Sequence, residues 1–116
     1  MGKDSVRLYA IIKYCGKIEA RMEEFGNDIE DFLENDAYHD ACCFYLSQIG
    51  ENVCHISPKL TEKYPDISWV GLMELRNTVA HGYEGMDFEA AWTTITKKIP
   101  KIKKTCEKIL YEMTKR

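Results

Sequence analysis

Residues 8–25 read LYAIIKYCGKIEARMEEF, and this stretch decides the fold class. Its apolar side chains recur at intervals of three, four, three, four and three residues: Leu8, Ile11, Cys15, Ile18, Met22 and Phe25. Because an α-helix turns once in about 3.6 residues, these side chains share one face. The pattern predicts one long amphipathic helix that ends near Gly26 and packs against other helices.

The same helical period continues along the rest of the chain. Asn27 or Asp28 can cap a short helix, and a second long helix is predicted from about Asp36 to Ile56. Ser57 followed by Pro58 is typical of a cap and first residue of a helix, here one that stops before Pro65.

The last two predicted helices follow a further pair of caps. Asp66 or Ser68 can cap a helix that runs from Trp69 to Ala80, and Asp87 can cap a final segment. Pro100 should kink or split that segment near residue 98, because proline lacks a backbone N–H. Short loops between amphipathic helices predict one all-α domain over residues 1–116, an up-and-down antiparallel bundle of about five to six helices.

Composition excludes several protein classes. The 116 residues are 45% hydrophobic and 30% charged, as in ordinary globular domains, and contain neither a membrane-spanning apolar run nor a signal-peptide core. The five cysteines form no Cys-x-x-Cys pair, so we expect reduced thiols, mostly in the core, and a cytoplasmic protein. Both tryptophans, Trp69 and Trp92, are expected to anchor the core.

Charge is divided unevenly along the chain. Residues 1–96 carry 8 basic and 17 acidic side chains, whereas residues 97–116 carry 8 basic and 2 acidic ones. The basic C-terminal segment permits a phosphate-facing stripe, a contact with an acidic partner, or simply a solvated helix face.

One arginine stands at an unusual position for a charged residue. Arg76 follows Leu72 by four residues and precedes Val79 by three, which places it among apolar positions of the predicted helix. Asn77 and His81, four residues apart, share a face. A buried arginine requires a partner, so spacing alone leaves two interpretations open: a functional site, or a structural ion pair beside a histidine that ends the helix.

The segment around Arg76 resembles a known signature. Arg76, four residues, His81, one residue and Tyr83 resemble the Arg-x4-His-x-Tyr motif of HEPN proteins, specifically the HepT-like toxins. The resemblance extends over roughly residues 5–112, through three further stretches and one aromatic residue: Ile49-Gly50-Glu51-Asn52-Val53, Tyr64-Pro65-Asp66-Ile67-Ser68-Trp69, Gly85-Met86-Asp87-Phe88 and Trp92.

The resemblance implies a HEPN fold and a metal-independent endoribonuclease that needs no cofactor. It implies Arg76 and His81 as the catalytic pair, and Asn77 beside them as a positioning residue that can hold His81 or the phosphate by hydrogen bonding. On an ideal helix, residues five apart point about 140° apart, so Arg76 and His81 converge only if the helix ends near Ala80. The family's cleft lies between two subunits, which implies a homodimer acting on RNA.

The resemblance also implies a toxin of a type VII toxin–antitoxin system. Its antitoxin would be a minimal nucleotidyltransferase that attaches AMP units to the hydroxyl of Tyr83. The other interpretations of Tyr83 are a residue that binds substrate and a lid over the end of the helix.

Two other functions compete with a ribonuclease. One is a non-catalytic helical partner that binds a nucleotidyltransferase or RNA; the other is a structural bundle in which the motif is an ion-pair network. A metal site at His39, Asp40 and Cys43 is less favoured than an ordinary helix surface, because a fourth ligand is missing. His55 is expected near a helix C-terminus, where its charge suits the dipole.

Overall fold

The computed structural model describes residues 2–76 and 87–115, and most of them are helical. The α-helices, in chain order, are α1 (Gly2–Phe25), α2 (Ile29–Glu34), α3 (Asp36–Val53), α4 (Pro58–Glu62), α5 (Trp69–Glu74), α6 (Phe88–Thr93) and α7 (Ile99–Thr114). A π-helical turn, Thr94–Lys98, joins α6 to α7 in one continuous helical run. Counted in this way, the described residues form six helices and no strand, which confirms the predicted fold class.

Helices α1 and α3 pack side by side in opposite directions. Near the start of α1, the Asp4 carboxylate accepts hydrogen bonds from the backbone N–H and the hydroxyl of Ser57, at 3.0 and 2.8 Å. At the other end, the Tyr38 hydroxyl donates to the Gly26 carbonyl at 2.9 Å. Because Ser57 follows α3 and Tyr38 lies in its first turn, the two helices are antiparallel.

The apolar stripe of α1 fills the space between these two ends, as predicted. Its first four members, Leu8, Ile11, Cys15 and Ile18, are all 0% exposed. At roughly 1.5–3 kcal/mol for each fully buried aliphatic side chain, this seam is a main source of stability.

Helix α7 lies antiparallel to α1. Glu19, in the second half of α1, pairs with Lys103 near the start of α7 at 2.8 Å. Tyr9, near the beginning of α1, and Tyr111, near the end of α7, line one shallow groove. Helix α7 also buries an apolar stripe at helical spacing: Ile99, Ile102, Cys106 and Ile109.

An aromatic cluster closes one end of the bundle. The Phe32 ring lies 5.1 Å from Tyr38 and 5.2 Å from Trp92, measured between ring centroids. Trp92 packs on the core from α6, and Trp69 is 8% exposed at the start of α5. Both tryptophans therefore anchor the core, as the sequence predicted.

Several predicted helix boundaries are confirmed, at a glycine, at three side-chain caps and near Pro100. Gly26 ends α1 at φ +118°, a left-handed conformation that glycine adopts without a steric penalty. Ser57, Ser68 and Asp87 each accept a hydrogen bond from the first turn of the helix that follows. The predicted split near residue 98 is the π turn, after which Pro100 occupies the first turn of α7.

Two helix ends differ from their predictions. Helix α5 ends at Glu74 rather than at Ala80. Helix α3 ends at Val53 rather than near Ile56, and His55 lies in the turn beyond it. The N–H groups of His55 and Ile56 bond to carbonyls three residues earlier, at 3.1 Å each, so the chain tightens there. The His55 ring lies 2.9 Å from Glu51 Oε2.

The cysteines divide into two groups. All five are free thiols, as predicted; Cys15, Cys42, Cys43 and Cys106 are buried, whereas Cys54 is half-buried. Burial raises the pKa of each of the four core thiols to about 12, because the thiolate loses its hydration.

Over residues 2–76 and 87–115, no helix is both long enough and apolar enough to span a membrane.

Candidate active site

Helix α5 leads to the candidate site and is fixed at its start. The Ser68 hydroxyl oxygen accepts a hydrogen bond from the Gly71 N–H at 3.3 Å. The Trp69 indole donates to the Tyr64 carbonyl at 2.9 Å. With Trp69 and Leu72 buried, this short helix holds a single orientation on the core.

A glycine on α3 allows α5 to approach very closely. A Cβ atom at Gly50 would lie 2.6 Å from the Leu72 carbonyl oxygen and 2.7 Å from the Arg76 backbone nitrogen. Real Cβ atoms essentially never come within 3.0 Å of such atoms. The contact therefore requires glycine, and it fixes the backbone of Arg76 directly against α3.

The Arg76 side chain is exposed, which corrects the prediction that it lies among apolar positions. The cause is a change of helix type. The N–H groups of Leu75 and Arg76 bond to Leu72 and Met73 at 3.1 and 3.4 Å, three residues back rather than four. At about three residues per turn the chain winds more tightly, and the α-helical spacing from Leu72 no longer applies to Arg76.

The guanidinium of Arg76 contacts a thiol rather than a carboxylate. Its Nη1 donates to Cys54 Sγ at 3.0 Å, across from the end of α3. No ion pair involves Arg76 among the described residues, so the alternative of a core-edge ion pair receives no support there. One edge of the guanidinium is held, and the side chain stays accessible to a phosphate.

The other residues of the motif lie outside the described part of the chain. These are Asn77, His81 and Tyr83. Their predicted roles, and the convergence of His81 with Arg76, remain predictions.

Two residues that the sequence did not single out contribute to the site. Gly50 was quoted only as part of the resemblance, and Cys54 was expected to be a core thiol. Cys54 and Arg76 are 22 positions apart, so no local spacing connects them. Only the tertiary packing of α5 on α3 brings them together.

The trio His39, Asp40 and Cys43 is not the surface that was predicted. His39 is 8% exposed, because its ring packs against Phe88 with centroids 4.3 Å apart. Its two ring nitrogens lie 3.2 Å from Asp36 and 3.1 Å from Asp40. No group of three or more potential metal ligands occurs within residues 2–76 and 87–115.

Comparison with known proteins identifies the family. The model of the family described as "Ribonuclease HepT-like" matches residues 11–109. The chain belongs to the ribonuclease HepT-like family. The match spans helices α1 to α7 and includes Gly50, Cys54 and Arg76, which confirms the predicted resemblance to HEPN proteins and their all-α fold.

Proteins similar to this chain carry ribonuclease names. A presumed RNase of Methanocaldococcus jannaschii is 36% identical over 106 residues, which cover 91% of this chain and 90% of the relative. A second presumed RNase of that organism is 35% identical over 106 residues, covering 91% and 86%. "Probable ribonuclease HepT" of Thermococcus cleftensis is 32% identical over 90 residues, covering 76% and 82%. No solved structure gave a significant match.

Proposed function

We propose that this chain is an endoribonuclease in which Arg76 and His81 are the catalytic pair. The observation that carries the proposal is the exposed guanidinium of Arg76, which donates to Cys54 and extends from a backbone that Gly50 holds close to α3. It is the one part of the Arg-x4-His motif that lies within the described residues. Membership of the HepT-like family and the names of the relatives support the same activity.

The proposed chemistry uses the nucleophile that RNA carries. The 2′-oxygen forms a bond to phosphorus while the bond from phosphorus to the 5′-oxygen breaks. The 2′-hydroxyl loses its proton and the leaving 5′-oxygen gains one, leaving a 2′,3′-cyclic phosphate and a 5′-hydroxyl. His81 has the side chain that exchanges protons near neutral pH, and Arg76 stabilises the negative charge on the phosphorane. Asn77 positions His81 or the phosphate, and no metal or cofactor takes part in this scheme.

We further propose that the working form is a homodimer with the site at the subunit interface. Two copies of the motif in one cleft would allow Arg76 and His81 to meet without requiring the same helix to present both. Val70 is 65% exposed on the helix that leads to Arg76, an apolar side chain that a second subunit can cover. A monomer mass by light scattering at a concentration where cleavage is full would contradict the dimer.

Regulation by a nucleotidyltransferase completes the proposal of a toxin in a type VII toxin–antitoxin system. The partner would transfer AMP from ATP to the Tyr83 hydroxyl, with pyrophosphate as the leaving group. The added phosphates would repel RNA from a cleft that contains Arg76. Co-expression with a neighbouring nucleotidyltransferase should raise the mass of the wild type by whole AMP units and leave Tyr83→Phe unmodified. Equal modification of both proteins would assign the target elsewhere.

The deciding experiment is cleavage of structured RNA in EDTA. The wild type should cleave and leave 2′,3′-cyclic phosphate ends, whereas His81→Ala should be at least about a hundredfold slower, the usual scale for a general acid or base. His39→Ala tests a histidine outside the motif and should retain cleavage in its folded fraction. Equal cleavage by wild type and His81→Ala would exclude His81 from the reaction. Binding of RNA without cleavage would favour the non-catalytic partner.

A further inference from the structure

The basic C-terminal segment forms a stripe of lysines with no acidic partners in the described structure. Lys97, Lys98, Lys101 and Lys104 are exposed, and no carboxylate of the described residues lies within ion-pairing distance of them. Lys103, by contrast, pairs with Glu19 at 2.8 Å. None of the four ammonium groups is neutralised by an ion pair among the described residues, although Lys101 donates a hydrogen bond to the Asp66 carbonyl at 3.4 Å.

Three of these lysines line a groove against α5. The groove has a volume of about 280 Å³ and lies between residues 66–75 on one side and residues 94–102 on the other. Lys97, Lys98 and Lys101 stand on one wall, and the buried side chains of Leu72 and Ile102 form part of the lining. Lys97 and Lys101 also border a second depression with Lys104, and Glu19 and Glu107 form part of its lining too.

The π turn carries two of the lysines that line the groove, Lys97 and Lys98. The turn spans Thr94–Lys98. The same groove is lined by three residues of the turn, Thr94, Lys97 and Lys98, and by Lys101 just after it. The hydroxyl of Thr94 donates to the Ala90 carbonyl, and that of Thr96 to the Trp92 carbonyl, at 3.2 and 2.9 Å. The turn is thus held by its own threonines, and its lysine side chains remain available to a ligand.

The groove ends beside the candidate active site. Leu75, which directly follows α5, is the last groove residue on that side, and Arg76 is the next residue in the chain. Arg76 itself does not line the groove, so the groove reaches the residue directly before the candidate catalytic arginine. A row of ammonium groups that form no ion pair with the described carboxylates suits a ligand with one negative charge at every step, which a nucleic-acid backbone provides.

We propose that this groove binds the sugar–phosphate backbone of single-stranded RNA and leads the strand to Arg76. The proposal rests on the proposed ribonuclease activity, because it assigns the groove to the substrate of that site. Lys97, Lys98 and Lys101 would each contact a phosphate, and the apolar lining would contact the sugars. These contacts carry no base specificity, since phosphates are the same in every sequence.

The test is binding of a fluorescent single-stranded 2′-O-methyl RNA, which lacks the nucleophilic hydroxyl and is not cleaved. Affinity is measured by anisotropy between about 50 and about 200 mM salt. The variant Lys97→Glu/Lys98→Glu/Lys101→Glu should bind at least about tenfold more weakly. Its slope of log K against log salt should be shallower by about 2, since each single-strand phosphate contact contributes about 0.7.

The matched control is Lys17→Glu/Lys59→Glu/Lys108→Glu. It makes the same change of net charge at three exposed lysines outside the groove, and it should bind nearly as the wild type does. A conservative variant with arginine at positions 97, 98 and 101 should keep the wild-type slope. Thermal unfolding of each variant checks that it is folded.

Several results would overturn the proposal. One is a groove variant that binds RNA with the affinity and salt slope of the wild type. Another is a control variant that loses as much affinity as the groove variant, which would indicate an effect of net charge alone. Polyglutamate that displaces the RNA with equal affinity would assign the groove to an acidic protein instead. Because the probe is not cleavable, these outcomes are independent of catalysis: a wild type that binds through the groove but cuts no RNA would contradict the proposed activity alone.

Discussion

Helix α3 contacts α1 and α5 in two different ways. Against α1 it packs a deep layer of side chains, with Leu8, Ile11 and Ile18 fully buried, and polar bonds close both ends of the seam. Against α5 it offers Gly50, so that two backbones come closer than any side chain would allow. The first contact stabilises the bundle over its length. The second fixes the backbone of Arg76 against α3.

The stability of the bundle and the placement of Arg76 therefore depend on separate groups of residues. Apolar side chains in the α1–α3 seam can exchange among similar volumes with modest cost. The α3–α5 contact tolerates no added atom, because backbone atoms of Leu72 and Arg76 occupy the space. Substitutions in the two regions should therefore differ in kind as well as in size.

The largest expected effect is a fall in the free energy of unfolding at alkaline pH, caused by the buried thiols of the core. Burial raises the pKa of four core thiols to about 12 from an ordinary value of 9.0. Between these values the unfolded chain binds fewer protons than the folded one, so the free energy of unfolding falls as pH rises. Near pH 10 the loss should be about 1 kcal/mol or more for each thiol, roughly 4–6 kcal/mol for the four.

Urea unfolding at a series of pH values from about 7 to about 10.5 measures this loss. Stability should be independent of these thiols below about pH 8. Cys106→Ala should be less stable than the wild type at neutral pH and should lose less with each pH unit above 9. Identical slopes in the two proteins would show that the core thiols do not govern alkaline unfolding.

The next largest effect is expected when Gly50, at the α3–α5 contact, and Gly16, in α1, are each replaced by alanine. Gly50→Ala should lower the free energy of unfolding by about 1–3 kcal/mol, because α5 must move away from α3. It should slow cleavage by up to about a hundredfold, since a catalytic group displaced by about 1 Å loses its geometry. Both quantities are measured on the same preparation.

Gly16→Ala is the matched control. A Cβ atom at Gly16 meets nothing within 4 Å, and alanine favours helix more than glycine does. This variant should be as stable as the wild type or about 0.5–1 kcal/mol more stable, with full cleavage. Equal behaviour of the two variants would remove the special role of the α3–α5 contact.

The smallest effect concerns the thiol that holds Arg76. Cys54→Ala removes the sulfur that Nη1 reaches at 3.0 Å and should reduce kcat a few-fold, as expected for a hydrogen bond of about 1 kcal/mol. Cys54→Ser keeps an acceptor and should retain most of the rate. The KM for RNA should change less than kcat, and an equal loss in both variants would point to packing rather than to the hydrogen bond.

The sequence predicted the fold well because its signals are local. Periodic apolar residues placed α1, α3 and α7, and Ser57, Ser68, Asp87 and Gly26 marked boundaries where the structure has them. The position of Arg76 could not be predicted, because periodicity assumes one helix type and the chain tightens at Leu75 and Arg76. The Cys54 contact is tertiary, and the burial of His39 depends on Phe88 from a distant helix.

The central claim is that Arg76 acts in catalysis and contributes little to the fold. The most direct test is single-turnover RNA cleavage by Arg76→Ala, with its free energy of unfolding measured beside it. We expect cleavage to fall at least about a hundredfold, the scale seen when one group that stabilises transition-state charge is removed. Because the side chain is exposed, the free energy of unfolding should stay within about 0.5 kcal/mol of the wild type. Full cleavage by Arg76→Ala would contradict the claim, and so would a loss of stability large enough to account for the lost cleavage.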